Sequence, residues 1–173
     1  MSALDNQPTN PSFLSPLGFK LQIKRTPSIN YFVQSVELPS VSISDINVDT
    51  PFTRIPVPST RLTFGNLRVT FKVDEDMTNY LEIYNWMLGM GLADNFEQYR
   101  ALSNKSTTSG EGLYSDIQLI VMSSAMQPIK EINFVDCFPV DISSLSFDST
   151  SADVSYLTAT VTFANRRFTV KTL

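Results

Sequence analysis

Between Leu67 and Val73 every second residue is apolar: Leu67, Val69, Phe71 and Val73 alternate with Arg68, Thr70 and Lys72. A period of two marks a strand with one dry face and one wet face, because successive side chains leave a pleated backbone on opposite sides. The period recurs at Leu17, Phe19, Leu21 and Ile23 against Lys20, Gln22 and Lys24, with Thr26-Pro27 ending that strand. Further strands are predicted over Tyr31 to Leu38, Val41 to Val48, Ile117 to Val121, Ile132 to Phe134, Leu145 to Phe147, Leu157 to Phe163 and Phe168 to Val170. A chain of 173 residues buries roughly 70% of its unfolded surface in one core. The pattern predicts a mainly β, single-domain sandwich or barrel of about eight strands with one α-helix, spanning residues 17–173.

Punctuation between strands carries its own information. Residues 1–16 hold three prolines and no apolar period, which reads as an extended N-terminal arm. In Val41 to Val48 the apolar phase slips from Val41 and Ile43 to Ile46 and Val48; a bulge near Ser44-Asp45 would keep both pairs facing inward. The following stretch, Asp49, Thr50, Pro51, Phe52, Thr53, Arg54, Ile55 and Pro56 through Pro58, is proline-broken. Proline cannot donate to a ladder, so this segment is predicted to leave the sheet as a long projecting loop able to reach another subunit. The period changes after Asp76: Asn79 and Glu82 suggest a capping box, and Tyr80, Ile83, Met87 and Met90 follow at helical spacing until Gly89 and Gly91 end a helix of about three turns. Its Tyr80, Ile83, Trp86 and Met87 read as packing residues against the sheet rather than a ligand box. Ser103 to Gly112 reads as a mobile loop, and Asp148 to Asp153 as a polar hairpin-like connection.

Composition closes off most chemistry. There is no histidine, which removes the commonest general base, the usual zinc ligand sets and every Ser-His-Asp or Cys-His arrangement. The single cysteine, Cys137, sits between apolar neighbours and reads as an inert buried thiol. Asp74, Glu75 and Asp76 could hold a divalent cation, but they lack the spaced oxygens and turn glycine of a calcium loop and sit where a helix N-terminus favours negative charge. Gly110-Glu111-Gly112 lacks the following Lys-Ser or Lys-Thr of a phosphate cradle. Arg166, Arg167 and Lys171 suggest a small anion site, a solvated turn or half of an intersubunit ion pair. Thr158, Thr160 and Thr162 form a row of hydroxyls suited to a sugar, to ice, to a neighbouring subunit or to a wet lumen. No enzyme activity, cofactor or metal is expected.

Charge is scarce at 17% of residues, and the formal net charge is −4. A surface so lightly charged is suited to assembly, and its sign disfavours sequence-reading contact with DNA, which needs clustered lysine and arginine. The first thirty residues lack the pattern of a signal peptide, and no run approaches the ~20 apolar residues of a membrane helix, so a soluble protein without membrane contact is expected.

The order of elements resembles the tail tube protein family of contractile-tailed, T4-like phages. The resemblance runs through the Leu38-Pro39 break, the Ile55-Pro56-Val57 loop, Phe64-Gly65-Asn66-Leu67-Arg68-Val69-Thr70-Phe71 leading into Val73-Asp74-Glu75, and a helix bearing Tyr84-Asn85-Trp86. It continues through Phe138-Pro139-Val140, Leu145-Ser146-Phe147-Asp148-Ser149 and the strand from Tyr156 to Phe163, covering about Leu17 to Val170. It implies a virion structural protein, made in the host cytoplasm. Copies would form hexameric rings stacked into a hollow tail tube, with sheath, baseplate and tail-terminator proteins as partners and DNA ejected through the lumen without specific binding. Related baseplate tube-initiator and tail-terminator rings share the domain and form the first alternative. On that basis Asp49 to Pro56 would be an inter-ring loop, and Arg68, Thr70, Lys72, Thr158, Thr160 and Thr162 a sheet face turned to a neighbouring subunit or the lumen. A lectin-like adhesin sandwich, resting on the threonine row and the aromatic content, and a carboxylate-only enzyme such as a two-acid glycosidase are the rivals from other classes.

Overall fold

The computed structural model describes residues 12–91, 96–104, 112–150 and 156–173. In chain order the elements are β1 (Phe19–Ile23), α1 (Pro27–Phe32), β2 (Val33–Glu37), β3 (Val41–Asp49), β4 (Arg54–Phe64), β5 (Leu67–Lys72), α2 (Thr78–Gly91), α3 (Phe96–Ser103), β6 (Ser115–Met122), β7 (Pro128–Ile142), β8 (Thr158–Ala164) and β9 (Arg167–Thr172). Seven strands form one antiparallel sheet in the order β1-β6-β7-β8-β5-β2, with β9 also on β7; β3 and β4 stand apart as a two-stranded sheet.

The long strand β7 makes the sheet double back on itself. Its first half pairs with β6 on one side and β9 on the other, and its second half pairs with β8. Between the halves Asp136 adopts φ 55° and the β6 register slips between Ser115 and Ile117, the local irregularity by which a strand turns a corner. The apolar faces of the two halves then share one core: Leu21, Ile23, Ile117, Leu119, Ile132 and Phe134 from one, and Leu67, Val69, Phe71, Ala159, Val161 and Phe163 from the other. This is the sandwich/barrel architecture expected from the alternation, and in β1, β5, β6, β7 and β8 the buried phase is the one the sequence marks. Leu17 is the exception, 80% exposed, because β1 begins two residues later.

Helix α2 closes the core with Ile83 and Trp86, while Tyr80 and Met87 pack on it from the partly buried rim. Two details differ from expectation. Asn79 lies inside the helix, where its amide ties back to β5 by donating to Lys72 O at 2.8 Å, and Glu82 accepts from Ser28 Oγ at 2.8 Å instead of closing a capping box. Gly89 does not end the helix; it is buried because α3 packs there, and a Cβ at Gly89 would collide with the Leu102 side chain.

Helices α1 and α3 were not legible from periodicity. Pro27, which in the sequence reads as a strand terminator, occupies the first turn of α1, where its missing N–H costs nothing. Leu145 to Phe147 is not a strand: only the Ser143 N–H continues the ladder, donating to Thr160 O at 2.8 Å, after which the chain leaves the sheet with Phe147 exposed. The N-terminal arm is described from Ser12, and residues 105–111 and 151–155 of the two polar connections lie outside the described residues.

Candidate functional site: a projecting hairpin and an open sheet face

The segment expected to project as a loop does project, but as strand. β3 and β4 pair from Val41↔Phe64 and Ile43↔Leu62 through Ile46↔Val57 and Val48↔Ile55 to Asp49↔Arg54. The irregularity expected near Ser44-Asp45 is present, between Ile43 and Asp45. It does not turn both apolar pairs into the core, for every residue of β3 is exposed, and in β4 only Ser59 and Phe64 are even half-buried.

Backbone geometry explains how two prolines survive in β4. At the tip, the Thr50 N–H donates to Thr53 O at 3.1 Å. Counting from that bonded pair, the alternation of an antiparallel ladder makes Val48↔Ile55 and Ile46↔Val57 bonded pairs, and Asn47↔Pro56 and Asp45↔Pro58 non-bonded ones. Both prolines therefore lack a donor only on the outer edge of β4. That edge cannot template a further strand at those positions, a device that protects exposed edges.

The pairing also sorts the hairpin into two faces. Ile46, Val48, Ile55 and Val57 share one face; Asp45, Asn47 and Asp49 share the other with Arg54, Pro56 and Pro58. On the polar face Arg54 Nε lies 3.0 Å from Asp49 Oδ1, an exposed pair. The apolar face is uncovered, with Ile46 57% and Val57 42% exposed, and Phe52 at the tip is 97% exposed. An isolated two-stranded ribbon is marginally stable in water, and an uncovered apolar face of this kind marks an interaction surface. The base of the ribbon is fixed by the Gly65 N–H donating to Ser40 O at 2.8 Å. A Cβ at Gly65 would come within 2.8 Å of Ser40 Oγ and 3.2 Å of Ser40 N, so a side chain there would make Ser40 give way.

The six residues assigned to a sheet face are brought together by the β5–β8 register: Arg68↔Thr162, Thr70↔Thr160 and Lys72↔Thr158. The hydroxyls of Thr70 and Thr160 are 3.0 Å apart, Arg68 reaches Glu37 at 3.4 Å on β2, and Lys72 Nζ sits 5.1 Å from the centre of the Tyr156 ring. The threonines thus belong to a mixed face with cations on it. Beyond it β2 is an edge strand, as are β1 and β9.

Among the described residues, the other sequence-marked groups do not converge on a reaction centre. Arg166 pairs with Asp136 at 3.3 Å, and Lys171 lies opposite Glu131 across β7–β9, so the basic residues near the C-terminus do not gather into one site. The carboxyl of Glu131 is held below its usual range chiefly by the Asn133 side chain, which donates to it. Burial, with the charge of Asp116 adding to it, pushes the Cys137 thiol up to about 12 and leaves it unreactive. Trp86 is structural: its indole N–H donates to Leu113 O at 3.1 Å, the Arg25 guanidinium lies 4.8 Å from its ring centre, and Arg25 also donates to Gly112 O. That clamp fixes the C-terminal end of the polar connection after α3. Gly110 and Glu111 of the supposed phosphate cradle lie outside the described residues, and the Gly112 carbonyl is already engaged.

Sequence reasoning missed a recess of about 500 Å³ at the far end of β5, lined by Phe32, Lys72, Val73, Asp74, Glu75 and Tyr156. Its walls come from three distant parts of the chain, and no spacing in the sequence joins them.

The body is a doubled antiparallel β-sheet with α2 over its core and an unpacked hairpin at one end. The sequence profile described as phage tail tube protein matches residues 7–171, and the chain belongs to that family. No curated protein sequence matches it. Among solved structures it is similar to a chain in the cryo-EM structure of the anti-feeding prophage tube-terminating cap, with TM-score 0.65, 16% identity and full coverage of both chains. It is also similar to a chain of the PVC sheath-tube complex of an extracellular contractile injection system in the extended state, with TM-score 0.63, 17% identity, and coverage of 100% of this chain and 99% of that one. A third similar chain comes from the sheath/tube terminator of the same kind of system, with TM-score 0.58, 15% identity, and coverage of 94% and 99%. These likenesses establish a shared fold.

Proposed function

We propose that copies of this chain assemble into rings that stack as the hollow tube of a contractile tail or related injection particle, and that it works as a structural protein without a catalytic role. One observation carries the reading: a hairpin with an uncovered apolar face projects from an otherwise well-packed body whose sheet ends in open edges. Joining edges around a ring would satisfy the unpaired backbone groups of β1, β2 and β9, and stacking by a contact between two different patches propagates without closing. The hairpin, Asp49 to Pro56 included, is the inter-ring element in this reading. The ring would be a hexamer, and sheath, baseplate and terminator proteins its neighbours in the particle.

The face bearing Arg68, Thr70, Lys72, Thr158, Thr160 and Thr162 belongs against a neighbouring subunit rather than the bore if the tube carries DNA. Arg68 and Lys72 would hold phosphate, whereas the net negative charge of the chain suits a bore through which duplex slides freely. Likeness to a tube-terminating cap keeps a second reading in play, in which the chain forms a single capping or terminating ring. Negative-stain electron microscopy of the concentrated purified protein tests both. Tubes of uniform bore are expected for the tube body, isolated rings for a cap, and a monodisperse monomer at every concentration refutes the proposal.

A further inference from the structure

The hairpin and the recess lie at opposite ends of one strand pair. β2 runs into the hairpin through Leu38-Pro39-Ser40, and β4 returns through Gly65-Asn66 to the start of β5 at Leu67. β5 then runs to Lys72, at the mouth of the recess, and β2 begins beside Phe32, in its wall. Six residues of β5 separate the two features by roughly 20 Å. The hairpin extends a further span from the opposite end without packing back along the body, so its tip does not meet the recess of its own chain.

Resting on the tube reading, we propose that the recess of Phe32, Val73 and Tyr156 is the socket for Phe52 at the hairpin tip of the next copy in the stack. Size and polarity fit. The recess holds about 500 Å³, within the ~300–1,000 Å³ of pockets that take an organic ligand. Phe52 is 97% exposed and Tyr156 72% exposed in the single chain. Charges fit as well: the tip carries the exposed Asp49–Arg54 pair, and the rim of the recess carries Lys72 beside Asp74 and Glu75. Arg54 faces the rim carboxylates and Asp49 faces Lys72, which favours one orientation of entry over its reverse. Knob and socket are different patches on opposite ends of the same element, so each copy receives one neighbour and enters another, and the contact repeats along an axis.

Photo-crosslinking tests this in the full-length chain. Phe52 is replaced by benzoylphenylalanine, which keeps an aromatic knob, and rods are verified by electron microscopy before illumination. The expected product links residue 52 of one copy to the peptide holding Phe32, Val73 or Tyr156 of another, in a ladder that outgrows a single ring. In rods, a link to any other surface, or a ladder closing at a fixed number of copies, overturns the socket while leaving the tube reading standing. Failure of the unsubstituted chain to form any rods or rings overturns both. As a second measurement, Phe52→Ala and Tyr156→Ala should each raise the critical concentration for assembly about tenfold, and the double variant scarcely further, as for two sides of one contact. Additive effects, or none, overturn the pairing.

Discussion

Replacing Ile46 and Val57 together by threonine separates what the hairpin does for the monomer from what it does for the assembly. The two residues face each other across β3–β4 and are 57% and 42% exposed. Fully burying such a side chain is worth about 1.5–3 kcal/mol. About half of each remains to be covered, so docking against a neighbour would gain ~0.7–1.5 kcal/mol per residue. Threonine keeps the branched Cβ that suits a strand but exchanges apolar area for a hydroxyl, forfeiting roughly 2 kcal/mol for the pair. At 1.4 kcal/mol per tenfold, the critical concentration should rise about 30-fold. In the monomer, each exposed position tolerates substitution within about ±0.5 kcal/mol, so the pair shifts Tm by no more than about 2–4 °C for a chain of this size. Sedimentation across a concentration series reads the first quantity and thermal unfolding below the assembly threshold reads the second. An unchanged critical concentration, or a monomer Tm lowered by many degrees, would show that the apolar face is not held in reserve for a partner.

Three further outcomes follow from the same structure. Phe71→Ala empties the centre of the core shared by both halves of the sheet and should cost ~3–5 kcal/mol; the fluorescence of the single tryptophan, buried Trp86, reads the transition, and a loss under 1 kcal/mol would contradict the packing described. Gly65→Ala drives a methyl toward Ser40, so it should loosen the hairpin base and raise the critical concentration severalfold while moving the monomer Tm by under ~2 °C; a large loss of Tm with assembly unchanged would mean that the base belongs to the core. The Cys137 thiol is raised from 9.0 to about 12 by burial, with Asp116 adding repulsion. Its contribution to stability is therefore complete below about pH 9 and is lost as pH rises toward about 12. Wild type should lose stability more steeply than Cys137→Ala across that window in denaturant titrations, and parallel slopes would refute the buried-thiol reading.

Much of the body was legible because alternation is a local property. Leu67, Val69 and Phe71 announce their dry face within six residues, and the placement of Arg68, Thr70 and Lys72 opposite three threonines of β8 needs only the correct register. Prolines at 51, 56 and 58 marked the right segment as leaving the sheet. They misled about its form, since proline is excluded from a ladder only where its N–H would be used, and at Pro56 and Pro58 it faces outward. The short helix α1 and the eight residues of α3 were missed because neither carries enough turns for a period of 3.6 to stand out from its neighbours.

The sequence by itself determined a mainly β chain, the helix that carries Trp86, an interruption at the proline-rich segment, and the lack of any histidine. Each follows from residue type and spacing along the chain. Only the tertiary structure decided that Val41, Ile43, Ile46 and Val48 stay in water, that β7 bends at Asp136 to fold the sheet on itself, and that Phe32, Val73 and Tyr156 meet in one recess at the end of β5 opposite the hairpin. An apolar residue in a strand looks the same in sequence whether its face meets the core or waits for a second molecule, because periodicity records which side chains share a face and not what covers it.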